Sequence, residues 1–124
     1  MPSSYTTTEL LTYLSNWHCD NLRPTAIAAL NQALALGNNT PMNWSYSPNE
    51  KQWTPNPNFV SFRFPPTKYY FHVWLYTRGE IQQKDSLIFR GRRQTYQSVR
   101  IVSPANLTDL SLYIERAYQI KTSR

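Results

Sequence analysis

Hydrophobic and polar positions alternate most clearly between Tyr69 and Tyr76. In an extended chain, Tyr69, Phe71, Val73 and Leu75 fall on one side and Tyr70, His72, Trp74 and Tyr76 on the other. Eight successive residues without Gly or Pro, mostly aromatic or β-branched, predict a strand, and a central one. The first set makes a core face. The second carries a polar atom on every ring and suits a half-wet sheet surface. Bases stack on such surfaces in single-strand and RNA binders. The other way to satisfy it is a helix or loop laid over it, with the polar atoms hydrogen-bonded inside.

The same reading extends to both sides. Val60, Phe62 and Phe64 alternate with Phe59, Ser61 and Arg63 before Pro65-Pro66 breaks the run. Gln97, Val99 and Ile101 alternate with Tyr96, Ser98, Arg100 and Val102. If that last strand neighbours the aromatic one, Tyr96 and Arg100 join the Tyr70–His72–Trp74 surface. Leu87, Ile88 and Phe89 suggest a further short strand, and Arg78-Gly79-Glu80 a turn with Gly79 at positive φ.

Helical spacing appears three times. Leu10, Leu14 and Trp17 recur over 6–19, opened by Thr6 and Glu9 as a capping box. Ile27, Leu30 and Leu34 recur over 24–36, with Pro24 at the first turn, Gly37 past the end, and alanines that permit close approach. Leu107, Leu110, Ile114, Ala117 and Tyr118 recur over 104–120 after Ser103-Pro104. The predicted fold is α+β: an antiparallel sheet of three to five strands with two N-terminal helices and one C-terminal helix, in a single domain over 1–124. Residues 38–58, rich in Asn, Pro, Ser and Thr, read as a long loop. Trp44 and Trp53 lie in it, either as its anchors to the core or as partner-binding residues. Residues 42–46 could form an edge strand, which leaves a homodimer open.

Charge sharpens the picture. The net charge is +6, but residues 1–60 sum to −1, residues 61–100 to +6 and residues 101–124 to +1. The basicity lies in the sheet half, where it attracts nucleic acid, DNA or RNA, or an acidic protein. Arg90-Gly91-Arg92-Arg93 is a compact basic tract whose guanidinium forks match phosphate oxygens. Arg116, Lys121 and Arg124 are explained by the C-terminal end of the last helix, whose dipole favours cations.

Catalytic candidates are few. His18 and Cys19 are adjacent and do not face each other on a helix. His72 is a candidate base or stacking ring, and Glu80, Lys84 and Asp85 are the nearest imitation of a metal nuclease's acidic set. No phosphate-cradling glycine loop or zinc-ligand cluster is present, so no cofactor or metal is expected. Cys19 is the sole cysteine, and Met1–Tyr5 shows neither a basic stretch nor an apolar core, so a cytoplasmic setting without a signal peptide or membrane span is expected. The glycosylation patterns at Asn38 and Asn106 carry little weight in that setting.

Three segments resemble a domain-of-unknown-function family of small domains, some appended to predicted nucleases and some carried by proteins labelled as transport-related. They are Leu34–Asn39; Phe59–Arg63 with the aromatic strand after it; and Val99–Leu107 running into Ile114–Tyr118. The resemblance covers residues 24–120 and implies architecture only, since that family has no assigned site. The first helix and the 38–58 segment are extra to it.

The function expected is non-catalytic binding of nucleic acid. Arg63, Arg90, Arg92, Arg93 and Arg100 would contact phosphates, and Tyr70, His72, Trp74, Tyr76 and Tyr96 would form the base-facing surface. The alternatives are an interaction module for an acidic protein, anchored by Trp44 and Trp53, and a small nuclease.

Overall fold

The computed structural model describes residues 4–17, 19–36, 43–65, 69–82, 87–90 and 95–123. They form three α-helices and a six-stranded antiparallel sheet. The strands are β1 (Ser4–Tyr5), β2 (Trp44–Ser47), β3 (Gln52–Pro55), β4 (Val60–Arg63), β5 (Phe71–Tyr76) and β6 (Tyr96–Ile101), and the helices α1 (Thr7–Ser15), α2 (Arg23–Ala35) and α3 (Leu107–Thr122). Strand order in space follows order in sequence. The chain inserts α1 and α2 between β1 and β2.

The strand count exceeds the expected three to five. The segment 38–58, read as a loop, folds over its latter part into the β2–β3 hairpin, with Trp44 opposite Pro55 and Tyr46 opposite Trp53. Its strands are short and punctuated by polar residues, so no apolar run announces them. Lys51 closes the turn at φ 54°, donating its N–H to the Ser47 carbonyl at 2.7 Å. β1 is shorter still. It pairs Tyr5 with Trp44, so β2 has a neighbour on both sides and is not the edge strand expected at 42–46. That removes the proposed route to a homodimer.

Helix ends also differ. α1 stops at Ser15 instead of 19, because Arg23 folds back onto it. Its guanidinium donates to the carbonyls of Leu14 and Trp17 and pairs with Asp20. The Leu14 carbonyl also accepts the Trp17 N–H at 3.1 Å, so Arg23 adds to a last turn already closed by backbone bonds. Trp17 lies past the helix, buried, with its indole N–H donating to the Pro65 carbonyl at 3.0 Å. α3 begins after a 3₁₀ turn at Pro104–Asn106, where the buried Asn106 side chain accepts the N–H groups of Val102 and Ser103. The predicted Thr6–Glu9 capping box forms in both directions. Gly79 has the expected positive φ, 71°, and Arg78 shares it at 49°.

One face of the sheet carries the core. Trp44, Trp53, Phe62, Phe71, Val73, Leu75, Val99 and Ile101 are buried beneath the helices. Each large side chain moved from water contributes about 1.5–3 kcal/mol. The buried face of α2 is built on Ala26, Ala29, Leu30 and Ala33, with Ile27 and Leu34 at its margins, because small residues let α2 lie close to α3. In α3, Tyr113 joins the expected core residues and donates its hydroxyl to the Leu87 carbonyl at 2.9 Å. Two aromatic placements differ from the alternation. Tyr69 precedes β5 and is 76% exposed, since no neighbouring strand reaches it. Phe59 precedes β4 and is buried against Tyr118, ring centres 4.9 Å apart. Around Leu87–Phe89 the described residues form isolated bridges in place of a strand, among them Arg90 to Ser98 beside β6.

Candidate nucleic-acid interface

The face opposite the helices takes its side chains from the other half of the alternation in β4, β5 and β6. Register sets them in rows. Arg63, His72 and Arg100 face one another across the three strands. Two residues along, Ser61, Trp74 and Ser98 form the next row, extended by Arg90, which bridges Ser98. Tyr76 and Tyr96 form the third, with ring centres 5.1 Å apart. Strands lie about 4.8 Å apart, so the backbones of Arg63 and Arg100 stand on the order of 10 Å apart on either side of His72. Tyr70, just before β5, meets His72 edge-on at 4.9 Å, and the Arg100 guanidinium lies 4.6 Å over its ring.

Arg63, Arg90 and Arg100 are exposed, and no carboxylate among the described residues pairs with any of them. None of the six strands contains an Asp or a Glu. Among the described residues, therefore, no carboxylate partners the cations of this face. His72 reports their field. Burial, then the guanidiniums of Arg100, Arg63 and Arg90, pull its imidazole down from the usual 6.5 to about 4. The ring is neutral at pH 7, and its buried Nδ1 has no hydrogen-bond partner among the described residues. The neutral form avoids repulsion with the three guanidiniums that share this face.

Trp74 stands at the centre. Its cross-strand neighbours are Ser61 and Ser98, both small, and among the described residues it makes no ring contact. Ser61 is engaged elsewhere, sharing a 2.7 Å hydrogen bond with Thr54. A half-buried indole between two serines offers a flat surface to a ligand.

The structure thus brings together Arg63, Tyr70, His72, Trp74, Arg90, Tyr76, Tyr96 and Arg100. Arg92 and Arg93 lie outside the described residues. Lys121 belongs near this group although the sequence assigned it to the helix end alone: its ammonium lies 4.4 Å over the Tyr76 ring. Forty-five positions separate the two residues, so only the packed structure reveals the contact. Trp44 is elsewhere. It is fully buried, its indole N–H donating to the Thr7 hydroxyl at 3.0 Å, and it has no surface to offer a partner. Trp53 lies under α1 on the core side. Glu80 is exposed at the turn after β5, while Lys84 and Asp85 lie outside the described residues. No group of three His, Cys, Asp or Glu that could hold a metal occurs among the described residues. No helix among them is long and apolar enough to cross a membrane.

No family model, curated protein or solved structure matches the chain. The functional reading therefore stands on the chemistry of this face.

Proposed function

We propose that the protein binds nucleic acid without catalysis, through the open face of β4, β5 and β6, with single-stranded or irregular segments as its preferred form. The observation that carries this is the row Arg63–His72–Arg100 lying beside Trp74 on a sheet face without carboxylates. Guanidiniums supply phosphate contacts, and Trp74, Tyr76 and Tyr96 supply surfaces on which bases stack with little sequence preference. Stacking rings suit unpaired bases, whose faces are accessible, better than a closed duplex. The acidic-protein alternative draws on the same charges but keeps only Trp74 as an aromatic anchor, since Trp44 is fully buried and Trp53 nearly so.

The test is a fluorescence-anisotropy titration with labelled single- and double-stranded DNA and RNA, at low and near-physiological salt. The expected result is micromolar or tighter binding to a single strand that persists at physiological salt. Binding confined to low salt, or equal for every polyanion including heparin, would remove the stacking element of the proposal.

A further inference from the structure

A second aromatic surface lies on the helix side, at the other end of the sheet. Tyr5 of β1, Tyr46 of β2 and Trp53 of β3 meet Tyr13 of α1 around a cleft of about 430 Å³. That volume is within the range of small-ligand sites, roughly 300–1,000 Å³. The rings of Tyr46 and Trp53 lie 4.7 Å apart. Tyr5 contacts both, at 6.4 and 5.3 Å, and so does Tyr13, at 5.8 and 5.2 Å. Tyr46 and Trp53 thus share contacts with Tyr5, brought by β1, and with Tyr13, brought by α1. The three tyrosines are half-buried and keep ring surface open, and Trp53 is 3% exposed. Its indole N–H finds no acceptor among the described residues, in contrast to the bonded indoles of Trp17 and Trp44.

The rest of the lining comes from α1: Thr8, Glu9, Thr12 and Asn16. Glu9 is the sole charged residue of the lining. One of its oxygens, Oε1, accepts from the Thr6 N–H and hydroxyl, and Oε2 has no partner among the described residues. Tyr13 stays protonated through the physiological range, because burial and then the neighbouring Tyr46 push its phenol up to about 12.

The chemistry selects one kind of occupant. Ring faces carry negative quadrupole potential and attract cations, and Glu9 adds a full negative charge at the rim. An anion is repelled. A neutral alkyl or aryl group covers the rings but leaves the carboxylate unanswered. A primary ammonium is compact and strongly hydrated, and gives up much water to enter. An alkylated ammonium is large and weakly hydrated and spreads its charge over methyl groups that touch several rings at once. We propose that this cleft binds an alkylated ammonium group, either a free quaternary amine or the side chain of a methylated lysine. The site is separate from the open face of the sheet and holds whether or not that face binds nucleic acid.

The test is an NMR titration of the full chain, following the Trp53 indole N–H, assigned with Trp53→Phe. The probes are choline and its neutral carbon isostere 3,3-dimethyl-1-butanol, with potassium chloride as the ionic-strength control. The expected result is a saturable shift with choline at about millimolar concentration, and affinity for the isostere about fivefold or more weaker. Glu9→Gln is the companion variant. Glutamine completes a capping box as glutamate does, so α1 is retained, and choline affinity should fall about threefold or more. Absence of a saturable shift, equal affinity for the isostere, or an unchanged choline affinity in folded Glu9→Gln would each overturn the proposal. A peptide carrying trimethyllysine, compared with its unmodified form, identifies the source. Binding tighter than choline points to a protein side chain, and binding no tighter points to a free amine.

Discussion

On the open face, Tyr70, Trp74, Tyr76 and Tyr96 stand among arginines. In the cleft, Tyr5, Tyr13, Tyr46 and Trp53 stand beside one carboxylate. Each surface holds three tyrosines and a tryptophan, yet the charges beside them are of opposite sign. Rings supply area and a weak preference for cations. Their neighbours decide the sign of what is admitted. On the open face the strands supply cations and no carboxylate, and cations already occupy two ring faces, Arg100 over Tyr70 and Lys121 over Tyr76. In the cleft no cation lines the rings, so their faces remain available to one. An aromatic surface therefore has to be read together with its charges.

The widest separation of the two surfaces comes from Arg63→Ala combined with Arg100→Ala. Both side chains are exposed and form no ion pair among the described residues, and only Arg100 gives up a ring contact, over Tyr70, so stability should fall by no more than about 1 kcal/mol. Single-strand affinity at low salt should fall on the order of 100-fold. The slope of log affinity against log salt should shrink by about 1.5, as expected for two lost phosphate contacts. Choline binding should be untouched. If the salt slope is unchanged, these arginines do not contact phosphate.

Trp74→Ala probes the rings of the same face. Base stacking on one aromatic is worth about 1–3 kcal/mol, so single-strand affinity should fall roughly 10-fold while the salt slope stays constant. Trp74→Phe should recover most of the loss. A fall of equal size for duplex and single strand would argue that Trp74 supports the sheet and does not stack.

Acid separates the surfaces by a different route. His72 has a folded pKa of about 4 against an ordinary 6.5. Between those values the unfolded chain holds the extra proton, so the folded state loses stability as pH falls from 6.5 to 4. A bound phosphate reverses the local field and raises the His72 pKa, so binding takes up a proton. Single-strand affinity should then rise several-fold as pH falls from 7 to 5, and His72→Gln should flatten that rise. Choline affinity should show no such increase, because His72 does not line the cleft. A His72→Gln protein with an unaltered pH profile would place the proton uptake elsewhere.

The two surfaces were not equally visible in the sequence. The open face follows from strict alternation within two six-residue strands, so parity alone assigned Tyr70, His72, Trp74 and Tyr76 to one side and Tyr96 and Arg100 to another. The β5–β6 register then merged them. The cleft draws its rings from positions 5, 13, 46 and 53, on a two-residue strand, a helix and a hairpin inside a segment that reads as loop. No local period connects those residues. Helical spacing does not single out Tyr13 beside Leu10, Leu14 and Trp17, and Trp44 and Trp53 looked alike until pairing and packing separated them. Trp44 became a bonded core residue, and Trp53 part of the cleft. Helix ends failed for a similar reason, since Arg23 stops α1 by a contact that helical spacing does not encode.

The smallest effect tests whether the surfaces are mechanically independent. The Thr6 hydroxyl accepts the Glu9 N–H at 3.2 Å, and the Thr6 N–H donates back to Glu9 at 3.0 Å, fixing the start of the helix that carries Tyr13. Thr6→Ala removes half of that box and should cost about 1 kcal/mol. This is measurable as a lower urea midpoint with an unchanged m-value. Choline affinity should weaken modestly, because Glu9 loses the hydroxyl that helps hold it at the rim. Single-strand affinity should stay within a factor of about two, because α1 does not touch the outer side of β4, β5 or β6. A nucleic-acid loss as large as that of Trp74→Ala would mean that the order of α1 is transmitted through the sheet. The two surfaces would then have to be treated as one coupled site, whatever their opposite charge preferences.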